Sequence, residues 1–291
     1  MSRLLIVDGH AYAYRAFHAI RELRSPAGQP TNAVYGFVKM LEKMRSAVAP
    51  THGIVVWDGG LSAERLAALP EYKAQRPEMP ADLRPQLDGI ADFLAAAGVA
   101  SYRQSGVEAD DYIATLARQA AAGWNVVIAS SDKDFMQLVS ARIGLLNPND
   151  KSGAIWGRGE VLAKTGVPPE SVADWLALMG DAVDNIPGVP GVGPKTAAEL
   201  LRQFGSVDVL LTRLDEVKSE KLRAALRASA AAVIRNQQLV RLPDVPCGFV
   251  PEQLAFRPAE HGALRRLYGG WGFKGLLAAL DAGVEKQAEL I

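Results

Sequence analysis

Three short apolar runs, at residues 4–7, 54–57 and 126–129, each give way to aspartate within a few residues. That recurrence constrains this chain more than any other feature. Four consecutive apolar residues without polar alternation read as strands buried on both faces of a sheet. Between the runs lie amphipathic stretches at 32–47, 85–97 and 109–122. Strands alternating with helices of this length predict right-handed βαβ crossovers and an α/β fold with a mainly parallel central sheet flanked by helices. Chemistry in such sheets gathers at the carboxyl ends of the strands. Asp8 directly follows the first run and Asp58 the second, and Asp132 and Asp134 come just after the third.

From about residue 168 the pattern turns helical, with glycine-rich punctuation at 188–193 and helices predicted over 194–204 and 218–235. The stretch 61–80 has weak periodicity, mixed charge and nearby prolines, and reads as an excursion from the core. The expected division is 1–184 for the α/β unit and 185–291 for a helical region.

Nine acids stand out as candidate metal ligands: Asp8, Asp58, Glu108, Asp110, Asp111, Asp132, Asp134, Asp181 and Asp184. Any one alone is ordinarily a cap or a solvated charge. Capping at a helix start accounts for one or two of Glu108, Asp110 and Asp111, but not for three. Asp132 and Asp134 sit two apart at a strand end, and Asp181 and Asp184 one helical turn apart. Carboxylates gathered in one cleft repel and take up protons unless cations compensate. Oxygen-only ligation selects hard ions, Mg²⁺ or Mn²⁺, and there is no Cys/His cluster to favour zinc and no EF-hand spacing for structural calcium. Two such ions are suited to phosphoryl transfer.

The segment Gly188-Val-Pro-Gly191-Val-Gly193-Pro194-Lys195-Thr196 approaches a phosphate-binding loop, but Pro194 separates the last glycine from the lysine and no strand feeds it. An ATPase is therefore not indicated. A glycine nest ahead of a helix with proline at its first position still offers backbone N–H groups to an anion such as a DNA phosphate, while an ordinary helix–helix turn has the same composition. The formal net charge of zero covers a segregation: residues 107–184 carry eleven acids and six bases, and 186–241 carry nine bases and five acids. Chance fluctuation and an acidic metal pocket beside a basic cradle both fit, and composition does not choose between them. A single cysteine, Cys247, excludes an intrachain disulfide and fits a reducing compartment. After Met1-Ser2-Arg3 a run of only four apolar residues leads to Asp8, too few for a signal peptide, and no apolar run approaches membrane-spanning length, so a cytoplasmic protein is expected.

Several motifs in order make the chain resemble the 5′→3′ exonuclease and flap endonuclease family, most closely the nuclease domain of bacterial DNA polymerase I and its free-standing relatives. They are Val7-Asp8-Gly9-His10, Tyr14-Arg15-Ala16-Phe17-His18, Ala33-Val34-Tyr35-Gly36-Phe37, Tyr72-Lys73-Ala74-Gln75-Arg76-Pro77 and Gly106-Val107-Glu108-Ala109-Asp110-Asp111. Asp132-Lys133-Asp134, Gly180-Asp181 with Asp184-Asn185, and Gly191-Val192-Gly193-Pro194-Lys195-Thr196-Ala197 complete the series. Trp57 before Asp58 and Phe135 after Asp134 depart from the usual pattern without touching the acids.

The resemblance implies a PIN-like nuclease core, and it divides the acids into two groups. Asp8, Asp58, Glu108 and Asp110 would hold the metal pair nearer the scissile phosphate, with Asp111 bridging or acting through water. Asp132, Asp134, Asp181 and Asp184 would form the second group. It also implies that 61–80 belongs to a helical arch through which a 5′ single strand passes. There Arg65, Lys73 and Arg76 would contact phosphates, and Tyr72 would either stack on a terminal base or pack within the arch. Arg15 would meet the scissile region. A helix-three-turn-helix at about 186–205 would carry Gly188, Gly191, Gly193, Lys195 and Thr196 against duplex DNA, with a K⁺ ion among its carbonyls. The implied reaction is hydrolysis of DNA to a 5′-phosphate and a 3′-hydroxyl, on DNA with 5′ flaps, nicks or RNA primers, by a monomer independent of membranes. The rival readings are a catalytically inactive DNA-binding scaffold and a single-strand RNA-processing nuclease.

Overall fold

The computed structural model describes residues 2–288. The three apolar runs lie inside β1 (Arg3–Asp8), β2 (His52–Trp57) and β4 (Asn125–Ala129), with β3 (Ala100–Arg103), β5 (Ile143–Leu146) and β6 (Ile155–Trp156) completing one sheet in the order β3-β2-β1-β4-β5-β6. All pairings are parallel except β5–β6. The helices of this half are α1 (Gly9–Ala19), α2 (Asn32–Val48), α3 (Ala63–Ala68), α4 (Arg84–Ala96), α5 (Ala109–Ala120) and α6 (Arg158–Thr165). Beyond them come α7 (Val172–Met179), a two-residue pair β7 (Gly180–Asp181) and β8 (Ile186–Pro187), then α8 (Pro194–Phe204), α9 (Val207–Thr212), α10 (Glu220–Val240), α11 (His261–Trp271) and α12 (Lys274–Ala288).

The period-2 geometry of a strand explains why the runs are apolar throughout. Leu4, Ile6, Ile54, Val56, Val126 and Ile128 face α5 and the core that continues into α7, α8 and α10. Their neighbours Leu5, Val7, Val55, Trp57, Val127 and Ala129 face α1, α2, α4, α11 and α12. Helices therefore cover both faces. The chain runs from β1 outwards through β2 and β3, then returns to β4 on the other side of β1. That reversal puts a crevice at the carboxyl ends of β1 and β4, where α/β sheets bind ligands.

Two glycines are dictated by close approach. A side chain at Gly9 would begin 2.6 Å from the Trp57 ring, so the start of α1 closes over β2 only with glycine there. At the end of α7, Gly180 takes φ +77°, and a Cβ on it would meet the Gly188 nitrogen at 2.3 Å. This crossing turns Asp181 and Asp184 back towards the sheet. The same crossing requires glycine at 188, because a Cβ there would sit 2.2 Å from the Met179 carbonyl. Packing, not ligand approach, requires that glycine.

The excursion between β2 and α4 is present, but only six residues of it are helical, in α3, before a run of turns. It folds as a strap against the segment before α5 and the β7–β8 turn, where Gly59 N–H donates to Val107 O at 3.0 Å and Lys73 N–H donates to Asp184 O at 3.0 Å, and its helix α3 packs on α10. Lys73 itself takes φ +56°, so Lys73 and Arg76 do not share a helix face. Among the described residues no helix is long and apolar enough to cross a membrane.

Candidate active site

Six of the nine predicted acids, Asp8, Asp58, Asp110, Asp132, Asp181 and Asp184, line one cleft of about 380 Å³ at the carboxyl ends of β1 and β4. They arrive from separate segments. Asp8 ends β1 and caps α1, accepting from Ala11 N–H at 3.1 Å. Ser130, just past β4, donates to Asp8 Oδ2 at 2.8 Å and accepts from Asp132 N–H at 3.1 Å, which couples the two strands across the switch point. Asp132 in turn accepts from Asp134 N–H at 2.9 Å. Asp110 projects from the first turn of α5, and Asp181 and Asp184 come from the β7–β8 turn.

Four further cleft residues shape it. His10 Nδ1 accepts the Asp58 N–H at 3.1 Å, and burial holds its imidazole below the ordinary range although Asp58 and Asp8 pull it up. Lys73, Arg76 and Lys133 interleave cations among the acids. Lys133 pairs with Asp181 at 2.8 Å and Arg76 with Asp184 at 2.8 Å, while Lys73 stands 3.9 Å from Asp110 and 3.8 Å from Asp184. The roles of His10, Lys133 and Ser130 were missed from the sequence. His10 and Lys133 lie inside the quoted motifs, where their spacing to Asp8 and Asp132 was the available signal. Ser130 gave none.

Several expectations need correction. Glu108 and Asp111 do not line the cleft. Three residues apart at the start of α5, with Glu108 at the N-cap, they meet the same partner, while Asp110 between them points elsewhere. Arg65 grips both, with Asp111 held by two hydrogen bonds of 2.8 and 2.7 Å and Glu108 at 3.0 Å. Glu108 also accepts from Ser62 N–H at 3.1 Å, from Tyr72 O–H at 3.2 Å and from Lys73. Burial alone would raise its carboxyl, but Lys73 and Arg65 beside it hold it below the usual range. Asp111 is thus the partner of an internal arginine rather than a cleft ligand.

Arg65 is only 6% exposed and its remaining N–H groups donate to the carbonyls of Leu239 and Arg241, so it presents no face to DNA. Tyr72, 3% exposed, packs in the core with its hydroxyl on Glu108 and Asp184, and has no ring face free to stack on a base. Lys73 lines the cleft but is 5% exposed, whereas the weak periodicity of 61–80 had argued against burial. Most of the segment is exposed, and ion pairs rather than apolar contacts bury Arg65 and Lys73, which leaves no apolar period. Arg15 is on the exposed side of α1, donating to Asn149 Oδ1 at 2.6 Å. It is its neighbour Tyr14, about 100° away around the helix, that lines the cleft.

The electrostatics test whether divalent cations fit. Asp110 is pushed well above the ordinary aspartate range by burial and then by Asp132, and Asp8 is raised chiefly by burial. Asp132 is pushed up to about 6 by burial and by Asp184 and Asp8, against the stabilising N–H of Asp134. Asp134, behind Asp132, is raised well above its range by burial and by four neighbouring acids, and its Oδ1 is buried without a hydrogen-bond partner. Among the described residues no three acidic, His or Cys side chains are already drawn together as a coordination shell. The donor set is nevertheless all oxygen, over-rich in negative charge and carries an unpartnered buried oxygen, which fits hard divalent cations.

Gly191, Gly193, Lys195 and Thr196, expected from the sequence to meet an anion, are not among the residues that line the cleft. Pro194 opens α8 after Gly193, the backbone at Gly191 takes φ +82° with open space around it, and Lys195 is exposed in the first turn. Trp175 of α7 donates to the Pro194 carbonyl at 2.9 Å, fixing α8 against the core.

Two family models account for most of the chain: the 5′-3′ exonuclease N-terminal resolvase-like domain over residues 3–166 and the 5′-3′ exonuclease C-terminal SAM fold over 167–262. The chain is 41% identical to a 5′-3′ exonuclease of Aquifex aeolicus, covering 97% of this chain and 96% of that protein. It is 38% identical to DNA polymerase I of Mycobacterium bovis over 93% of its own length, and spans about 30% of the length of that relative. Among solved structures, a bacteriophage T5 flap endonuclease in complex with DNA and metal ions matches with a TM-score of 0.68 and 26% identity, over 83% of this chain and 89% of the other. With a doubly wound sheet, an acid-lined cleft at its switch point and these matches over nearly its full length, the chain belongs to the 5′→3′ exonuclease family.

Proposed function

We propose that this protein is a structure-specific 5′→3′ exonuclease and 5′-flap endonuclease that hydrolyses DNA with Mg²⁺ or Mn²⁺, clearing flaps and RNA primers in replication and repair. The observation that carries this reading is the convergence of six aspartates and three basic side chains in one cleft at the switch point. Asp8, Asp58, Asp110, Asp132, Asp181 and Asp184 are the residues that would hold the cations, with Asp134 behind them. When bound, divalent cations supply activation of a water and compensation of charge on the phosphate. Lys73 and Arg76 orient the scissile phosphate and offset the charge that develops on it. Ser130 and the N–H of Ala11 hold the Asp8 carboxylate in one orientation, and His10 does the same for the backbone at Asp58.

In this reading residues 1–184 carry the chemistry. Residues 185–291 carry the duplex grip, through a helix-three-turn-helix at about 186–205 that takes a K⁺ ion. The protein works as a monomer in the cytoplasm.

The test is cleavage of a 5′-flap DNA and of a matched single-stranded RNA. Activity on the flap is expected with Mg²⁺ or Mn²⁺ and none in excess chelator. Full activity in chelator, or preference for the RNA, overturns the reading. The duplex grip has its own test. Lys195→Ala is expected to weaken duplex binding and to flatten its salt dependence by about one counterion, with loss of turnover mainly at low substrate. Unchanged binding at every salt concentration would leave 188–193 as a turn and no more.

A further inference from the structure

Arg65 joins three parts of the molecule. From the strap, it reaches α5 through the two hydrogen bonds to Asp111 and the contact with Glu108. It reaches the end of α10 through the carbonyls of Leu239 and Arg241, at 3.0 and 3.1 Å. Carbonyls at a helix C-terminus lack intrahelical partners and carry partial negative charge, so a guanidinium satisfies both needs there. On the strap side, Ser62 caps α3 through its hydroxyl while its own N–H donates to Glu108 Oε1. Glu108 takes Lys73 and Tyr72 on its other oxygen. Three hydrogen bonds and the Arg65 ion pair thus surround this carboxylate, and Glu108 and Asp111 are balanced by Arg65 and Lys73 inside the protein.

We infer that Arg65 is a positioning residue: through Glu108 and Asp111 it locks the 61–76 strap onto α5 and α10 in the free protein, so that the Lys73 ammonium faces the cleft before any substrate arrives. A strap on an exposed excursion with weak apolar periodicity has little else to order it. Apart from Leu69 and Tyr72, its buried residues are the ionic ones. The kinetic consequence rests on the nuclease reading; the lock itself is a property of the free chain.

Arg65→Met alone strands Asp111 in the interior without its partner, so the informative variant is the charge-balanced pair Arg65→Met with Asp111→Leu, alongside Arg65→Lys. Hydrogen exchange on the full chain without DNA or metal reads the strap directly, and thermal melts confirm that each variant is folded. Amides of 62–76 are expected to be protected in the wild type and to exchange at least about tenfold faster in the double variant, with β1 and β4 unchanged. Arg65→Lys is expected to fall between them, because an ammonium reaches one carboxylate but cannot span both and two carbonyls. On flap DNA the double variant should lose roughly tenfold or more in single-turnover rate, through misplacement of Lys73, with duplex affinity little changed. An unprotected strap in the wild type, or wild-type exchange in the double variant, overturns the lock. Absence of cleavage by the wild type would instead count against the nuclease reading, and the exchange result would still decide the lock.

Discussion

Asp110→Asn is expected to lower Mg²⁺-supported cleavage by roughly 10³-fold while leaving the metal-free protein at least as stable as the wild type. The two halves have one cause. Burial, then the facing Asp132, pushes the Asp110 carboxyl well above its ordinary value of 3.8, so its charge is costly until cations compensate it. A carboxyl whose folded value is raised contributes stability that is fully present below the unfolded value and is lost as pH rises through the folded one. For Asp132 that window runs from 3.8 to about 6, and Asp8, Asp110 and Asp134 are shifted in the same direction. The wild type in chelator should therefore melt at progressively lower temperature as pH rises from about 4 through 6 and beyond. Asp110→Asn should flatten that decline, and Mg²⁺ should reverse it in the wild type but much less in the variant. Cleavage within a few-fold of wild type, or a sharp loss of stability in chelator, would show that Asp110 is a structural acid.

Lys73→Met is expected to reduce single-turnover cleavage about 100-fold and, unlike an exposed cation, to destabilise the fold by about 1–3 kcal/mol. Its ammonium is buried against Glu108 and lies within 4 Å of Asp110 and Asp184, so removal leaves negative charge uncompensated. The loss is limited because Glu108 keeps Arg65, Tyr72 and the Ser62 N–H. Arg76 makes the contrast. It pairs with Asp184 but its side chain is 41% exposed, so Arg76→Ala should slow cleavage while changing stability by under about 1 kcal/mol. Urea melts and single-turnover rates on the same preparations separate the effects. Equal stability losses in the two variants would refute the buried-charge account of Lys73, and a Lys73 variant that cleaves normally would remove it from the chemistry.

Much of the scaffold could be read directly. β1, β2 and β4 are continuous apolar runs because both their faces are covered, and helices α2, α4, α5 and α8 keep one apolar stripe each. The strands that escaped notice sit towards the margins. β3 alternates half-buried and exposed residues with Ser101 and Arg103 facing outwards. β5 is interrupted by Gly144, which makes room for Ile155 of the edge strand. Neither has a periodic signal that a loop could not imitate.

The candidate site divides in the same way. Acids placed after consecutive strands had to meet at the carboxyl edge of the sheet, since parallel strands share one direction, and Asp8, Asp58 and Asp132 do so. Which of the clustered acids reach the cleft depended on helix phase and on partners from far along the chain. Along α5 the turn of about 100° per residue sends Asp110 inwards and hands Glu108 and Asp111 to Arg65, whose other contacts lie some 175 residues away at Leu239 and Arg241. Local residue order therefore determined the sheet, its direction and the type of donor collected at its edge. The assignment of each charge to the cleft or to a buried pair was decided by tertiary packing, because an ion pair is specified by where two distant segments meet and leaves no period in either of them.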